Sequence, residues 1–301
     1  MPELTALLGL GAFLGASAAA LYATGVGGVV LEAMRPERKT VGWALARGLP
    51  SEPGAWGLPV REWSVEFRGA HCPVFDLGDA ARDAPTAIVL HGFSRSRYDS
   101  LSRLAPLMHH ARRFLLIDLP GHGEATGRST RLGGDEAELV AEIATAHTDG
   151  PLLLMGHSLG ATVAIAAASD ERIAARVRGV LALAPYESLR TPLGARLDLR
   201  GMPRGALVPA ALRVLRALGV EERSTREAAT RVRCPLAVLA GEIDPVTPVE
   251  EARAVAHAAR LGRFALVRHG RHDDFTTLGR DEMNAALAWI ASAADSGSRV
   301  V

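Results

Sequence analysis

The stretch PLLLMGHSLGATVAIAAA, residues 151–168, carries the reading of the whole chain. Leu152, Leu153, Leu154 and Met155 are apolar at consecutive positions, as in a strand buried on both faces. Ala161, Val163, Ala164, Ile165 and Ala167 then have the small apolar character of a tightly packed helix. Between them stands Gly-His-Ser-Leu-Gly. A serine set between a buried strand and a buried helix lies on a sharp turn, and the flanking Gly156 and Gly160 leave room for it. This is the nucleophile-elbow pattern G-x-S-x-G, which presents the Ser158 hydroxyl above a sheet edge.

A serine hydroxyl needs a base, and that base needs an orienting acid. Downstream, AGEIDPVTP follows one strand-like run and RHGRHDDF follows the next. Asp244 and His272 therefore fall in loops at the same sheet edge as Ser158, in the chain order serine, acid, histidine. Each has a rival. His269 stands at the end of its strand run, where a base is poorly placed. Glu187, after LALAPY, is an alternative acid following an earlier strand. His157 is expected to pack against the sheet, because adjacent residues on an elbow point apart. For the oxyanion, the donors are the backbone N–H of Leu159, at its helix start, and that of Phe93 in HGFSRS, with His91 and Gly92 shaping the loop. The loop DLPGHGEATG reads as structural, and His122 is not expected to act in catalysis.

The strand-like runs EWSVEF, PVFDL, TAIVLHG, RFLLIDLPGHG, PLLLMGHS, RGVLALAP, PLAVLAGE and RFALVRHG are separated by helix-compatible sequence. That alternation predicts an α/β protein with a mostly parallel eight-stranded sheet, opened by an antiparallel pair and covered by helices on both faces. Residues 190–231 exceed what a simple crossover needs and predict a small helical cap over the strand ends. HGF at His91, GHSLG around Ser158, G-x-x-D-x-x-x-P from Gly241 and the late His272 together resemble the α/β-hydrolase superfamily over residues 62–293. TRLGGDEAEL and APYESL are similar to membrane-anchored serine hydrolases related to prolyl oligopeptidases. The resemblance implies the α/β-hydrolase fold and an ester-cleaving serine hydrolase working through an acyl-enzyme. A thioesterase, a serine peptidase or a non-catalytic binding protein of the same fold stand beside that reading.

Composition closes other routes. The chain of 301 residues has a formal net charge of +1, so no basic field points to nucleic acid. Its two cysteines, Cys72 and Cys234, make neither a disulfide framework nor a metal cluster. HGRHDD offers an H-x-x-H pair but no further ligand, and no metal or cofactor is expected. The partner is a small ester or acyl substrate, and the oligomeric state stays open.

From Leu4 to Leu31 no residue is charged. A helix of that length spans about 40 Å, enough to cross a bilayer core of about 30 Å. Met1, Pro2 and Glu3 supply no basic n-region, so an uncleaved anchor over residues 1–34 is expected rather than a signal peptide. Arg35, Arg38, Lys39 and Arg47 follow it, which places the domain of residues 61–301 in the cytoplasm behind a Pro- and Gly-rich linker at 35–60.

Overall fold

The structure is a computed structural model that describes residues 2–81, 84–127 and 129–297. Eight strands form one sheet in the order β1-β2-β4-β3-β5-β6-β7-β8. They are β1 (Val60–Phe67), β2 (Ala70–Gly78), β3 (Thr86–Leu90), β4 (Arg113–Ile117), β5 (Leu152–His157), β6 (Val177–Leu183), β7 (Leu236–Gly241) and β8 (Gly262–Val267). β2 pairs antiparallel with both β1 and β4, and the remaining pairings are parallel. This is the sheet the eight sequence runs predict.

The inner strands are buried on both faces, which is why they read as continuous apolar runs. Alternate residues go to opposite layers. Ile88, Leu90, Leu152, Leu154, Val180 and Val238 join one core. That core includes α4 (Glu136–His147), α5 (Leu159–Ala168) and α9 (Val249–Ala258). Ala87, Val89, Leu153, Met155, Leu181 and Leu239 join the other, against α3 (Arg97–Leu101) and α10 (Arg280–Gly297).

Residues 190–231 hold three helices, α6 (Arg190–Leu199), α7 (Arg204–Ala217) and α8 (Thr225–Arg231). Leu207, Val208, Ala211, Leu212 and Leu215 of α7 are buried, at the i, i+1, i+4, i+5, i+8 spacing of one helix face.

The N-terminal helix α1 (Pro2–Met34) contains a 28-residue segment, Leu7–Met34, long and apolar enough to cross a membrane. Its last turns are docked on the cap. Val26, Val29, Val30 and Ala33 are buried in the same core as α7, and the Tyr22 hydroxyl donates to the Ala206 carbonyl at 3.0 Å. Arg200, the residue just after α6, pairs with Glu32. Leu7, Leu8, Leu10, Phe13, Leu14 and Leu21 remain exposed. The segment at 35–60 is seated more firmly than its proline content indicates. It forms α2 (Val41–Leu45), with Ala44 fully buried, and Trp43, Leu49, Trp56 and Leu58 pack on the core beneath α3. Arg38 donates to the carbonyls of Ala125 and Gly127, tying this segment to the loop after β4.

Candidate active site

The strand order reverses around β3, because β4 lies on one side of it and β5 on the other. Loops leaving β3 and β5 therefore diverge and open a crevice beyond the strand ends. Ser158 follows β5 and Phe93 follows β3, and the pairing of Leu90 with Gly156 brings the two loops side by side.

Ser158 has φ 53° and ψ −115°, a conformation that non-glycine residues rarely adopt and that costs about 1–3 kcal/mol. The turn is held by Ser158 N–H donating to Leu183 O at 2.8 Å, and by Ser158 O accepting from Ala161 N–H at 2.9 Å. The two glycines are required by contact. A Cβ at Gly156 would meet the Gly160 carbonyl oxygen at 2.0 Å, and one at Gly160 would meet the Leu90 carbonyl oxygen at 2.4 Å. The local sequence thus forces the serine outward at the helix start.

Ser158, His272, Phe93 and His157 line one cavity of ≈ 100 Å³ whose remaining wall is mostly apolar. His272 Nδ1 donates to Asp244 Oδ2 at 2.7 Å. The Asp244 side chain is completely buried. Its Oδ2 also accepts the Thr247 hydroxyl at 2.6 Å, and its Oδ1 accepts the backbone N–H groups of Val246 and Thr247 at 2.7 and 3.1 Å. Burial pushes the Asp244 pKa up, but the hydrogen bond and charge of His272 with the Thr247 and Val246 donors outweigh it and hold the carboxyl below its usual range. With Nδ1 committed to the carboxylate, Nε2 is the ring nitrogen left for proton transfer. The Ser158 hydroxyl makes no hydrogen bond with a described residue, as is common in a site without substrate.

The two rivals are elsewhere. His269 has φ 57° and an 83% exposed side chain, and its ring nitrogen is 3.6 Å from Glu242. The Glu187 carboxylate lies 3.7 Å from Arg226 of α8.

The oxyanion candidates are also set by backbone geometry. Leu159 N–H is the first of α5 and has no partner within its own helix. For Phe93 the control lies in His91. Its Nε2 accepts Leu119 N–H at 3.0 Å, so its Nδ1 carries the proton and donates to Gly92 O at 2.8 Å. Arg95 N–H donates to the same oxygen at 3.1 Å. Across a trans peptide the Phe93 N–H points away from that carbonyl. Burial pulls the His91 pKa down to about 4, so the ring stays neutral and the tautomer fixed.

His157 does more than pack. Its Nε2 donates to the carbonyl oxygen of His272 at 2.7 Å, linking the serine turn to the histidine loop. Burial drives its pKa well below the ordinary value, which keeps it neutral. His122 is likewise buried and neutral, its Nδ1 donating to Pro120 O at 3.0 Å. The wall also takes Leu132 and Tyr186, which lie within TRLGGDEAEL and APYESL, and Arg196 of α6, which no motif marks. Among the described residues no cluster of His, Cys, Asp and Glu is arranged to hold a metal ion.

The sheet and the motif-bearing loops define an α/β hydrolase. The alpha/beta hydrolase family pattern matches residues 87–297, and the chain belongs to that family. No curated protein matches it significantly in sequence. Among solved structures it is similar to an esterase of Pyrococcus furiosus, with 17% identity over 80% of this chain and 93% of the other and a TM-score of 0.62. A bacterial membrane phospholipase A is similar at 19% identity over 97% of this chain and 100% of the other, TM-score 0.61. The thioesterase domain of the curacin biosynthetic pathway is similar at 16% identity over 78% of this chain and 99% of the other, TM-score 0.54. At these identities the likeness is one of fold.

Proposed function

We propose that the protein is a membrane-anchored serine hydrolase that cleaves carboxylic esters of lipophilic acyl groups. Ser158 Oγ attacks the ester carbonyl while His272 Nε2 takes its proton, and the carbonyl oxygen becomes an oxyanion held by the N–H groups of Phe93 and Leu159. The tetrahedral species collapses, the C–O bond breaks, and the imidazolium returns its proton to the departing alcohol. Water then attacks the acyl-enzyme by the same route and releases the acid. Asp244 holds the imidazole in the tautomer this sequence needs and stabilises its charged form. Each oxyanion donor contributes about 3 kcal/mol to lowering the barrier.

The observation that carries this reading is the strained Ser158 turn opening into one cavity with a His272 whose Nδ1 is held by a buried Asp244. A lipophilic acyl group is supported by the apolar wall of Leu132, Leu189 and Leu193 and by the position of α1. Leu193 and Arg196 border the cavity on one side and α1 on the other. The similar phospholipase aligns over nearly the whole of this chain, α1 included. In this reading α1 enters the bilayer, and Arg35, Arg38, Lys39 and Arg47 keep the domain on the cytoplasmic side.

The test is a series of nitrophenyl esters of graded chain length, run with a thioester and a peptide. The reading expects turnover of medium or long esters, at least tenfold slower cleavage of the peptide, and loss of all of it in Ser158→Ala. Turnover of the peptide alone would replace the esterase by a peptidase.

A further inference from the structure

We infer that Arg196 sets the substrate class of this cavity: it receives an anionic oxygen group, phosphate or carboxylate, carried by the ester. The inference rests on the hydrolase reading and adds the chemistry of the substrate's second end.

Arg196 lies on α6 and lines the cavity that holds Ser158 and His272. Its guanidinium carbon sits 3.8 Å from the centroid of the Phe93 ring, directly beside the proposed oxyanion loop. Three nearby arginines are matched with carboxylates. Arg95 pairs with Asp273 at 2.5 Å, Arg204 with Asp198 at 2.8 Å, and Arg200 with Glu32. Arg196 makes no ion pair and no hydrogen bond with any described residue. Glu32 is the nearest carboxylate in electrostatic terms, yet both of its oxygens accept from Arg200. Two guanidinium groups therefore share one carboxylate, and the cavity wall keeps a net positive charge.

Stacking on Phe93 does not satisfy this group. A cation over a ring uses the face of the guanidinium, whereas its five N–H donors lie in the plane. Arg196 is half-buried, and a charge drawn out of water without a partner is unfavourable, so a ligand that supplies the counter-charge is favoured there. Planar N–H donors match the oxygens of a carboxylate or phosphate. Arg196 also borders the crevice formed by Val29, Glu32 and Ala33 of α1. The charge thus stands between the ester-cleaving position and the apolar helix, where the polar end of an amphiphile and its acyl chain would part.

The experiment uses the full chain in an uncharged detergent and three esters sharing one dodecanoyl group. These are 1-dodecanoylglycerol 3-phosphate, 3-O-dodecanoylglyceric acid, and neutral 1-dodecanoylglycerol. The ratio of kcat/KM for each anionic ester to that for the neutral one is the readout. The wild type favours at least one anionic ester tenfold or more, and which one identifies the phosphate or the carboxylate as the group received. Arg196→Gln reduces that ratio 10- to 100-fold, and Arg196→Lys restores part of it. A ratio that Arg196→Gln leaves unchanged overturns the inference. If none of the esters is hydrolysed, the hydrolase reading fails by itself. Calorimetric binding of dodecyl phosphate against dodecanol then decides the anion site independently, with tenfold weaker phosphate binding by Arg196→Gln expected and equal binding contradicting it.

Discussion

His157 Nε2 and the carbonyl oxygen of His272 are 2.7 Å apart, so the residue beside the proposed nucleophile holds the loop of the proposed base. Ser158 and His272 come from the ends of β5 and β8, which are not neighbours in the sheet. Their relative position depends on contacts of this kind.

His157→Phe keeps a buried ring but removes the N–H. An error of about 1 Å in a reacting group costs on the order of 100-fold in rate. The variant is expected to lose roughly 10- to 100-fold in kcat with KM nearly unchanged, and to remain folded by circular dichroism. A rise in KM at constant kcat would assign His157 to substrate binding instead.

The acid and base are tested as pairs. Asp244→Asn removes the carboxylate that fixes the His272 tautomer and is expected to lower kcat by about 10⁴. His272→Ala is expected to lose at least as much. Glu187→Gln and His269→Ala touch groups that face Arg226 and Glu242 and are expected to stay within threefold of wild type. Steady-state rates on one nitrophenyl ester decide it. A large loss in either control would reassign the role.

Ser158, Gly156 and Gly160 were legible because the strand, turn and helix that place them are contiguous in sequence. Asp244 and His272 were legible because each follows a recognisable strand run. Arg196 was not, since what puts it at the cavity is the packing of α6 over the crevice, which no local pattern encodes. The segment at 35–60 read as a linker from its prolines, but Trp43, Leu49 and Trp56 are fixed by a core built from distant residues. An uncharged run reads the same whether it faces lipid or α7, so the docking of Val26, Val29 and Val30 was equally hidden. His157 was expected only to pack, because its reach to another loop exists in three dimensions alone.

Acid should unfold this protein in a defined window. His91, His122 and His157 are buried and neutral, with folded pKa values pulled down by burial, to about 4 for His91. In the unfolded chain each titrates near 6.5. Below that pH the unfolded state binds more protons, so stability is full above 6.5 and is lost as pH falls toward 4. Three such groups remove about 3 kcal/mol between pH 6.5 and 5.5. Urea midpoints at pH 7.5, 6.5 and 5.5 measure this, and a midpoint unchanged across that range contradicts the neutral assignments.

The docked end of α1 makes a further prediction. Deleting residues up to Arg35 uncovers the α7 face that Val26, Val29, Val30 and Ala33 bury. Losing three buried valines costs about 4 kcal/mol. A chain starting near Arg35 is expected to melt at lower temperature and self-associate, whereas one starting near Ala20 keeps the contact. The full chain is expected to sediment with membranes and resist carbonate extraction. Equal melting temperatures for the two truncations would show that the contact contributes nothing.

The most direct measurement of the central claim is covalent labelling with a fluorophosphonate, followed by peptide mass spectrometry. The account predicts one adduct per chain, on Ser158, formed at a rate that His272→Ala lowers by several orders of magnitude and abolished in Ser158→Ala. An adduct on another residue, or a folded wild-type protein that takes no label, would contradict it.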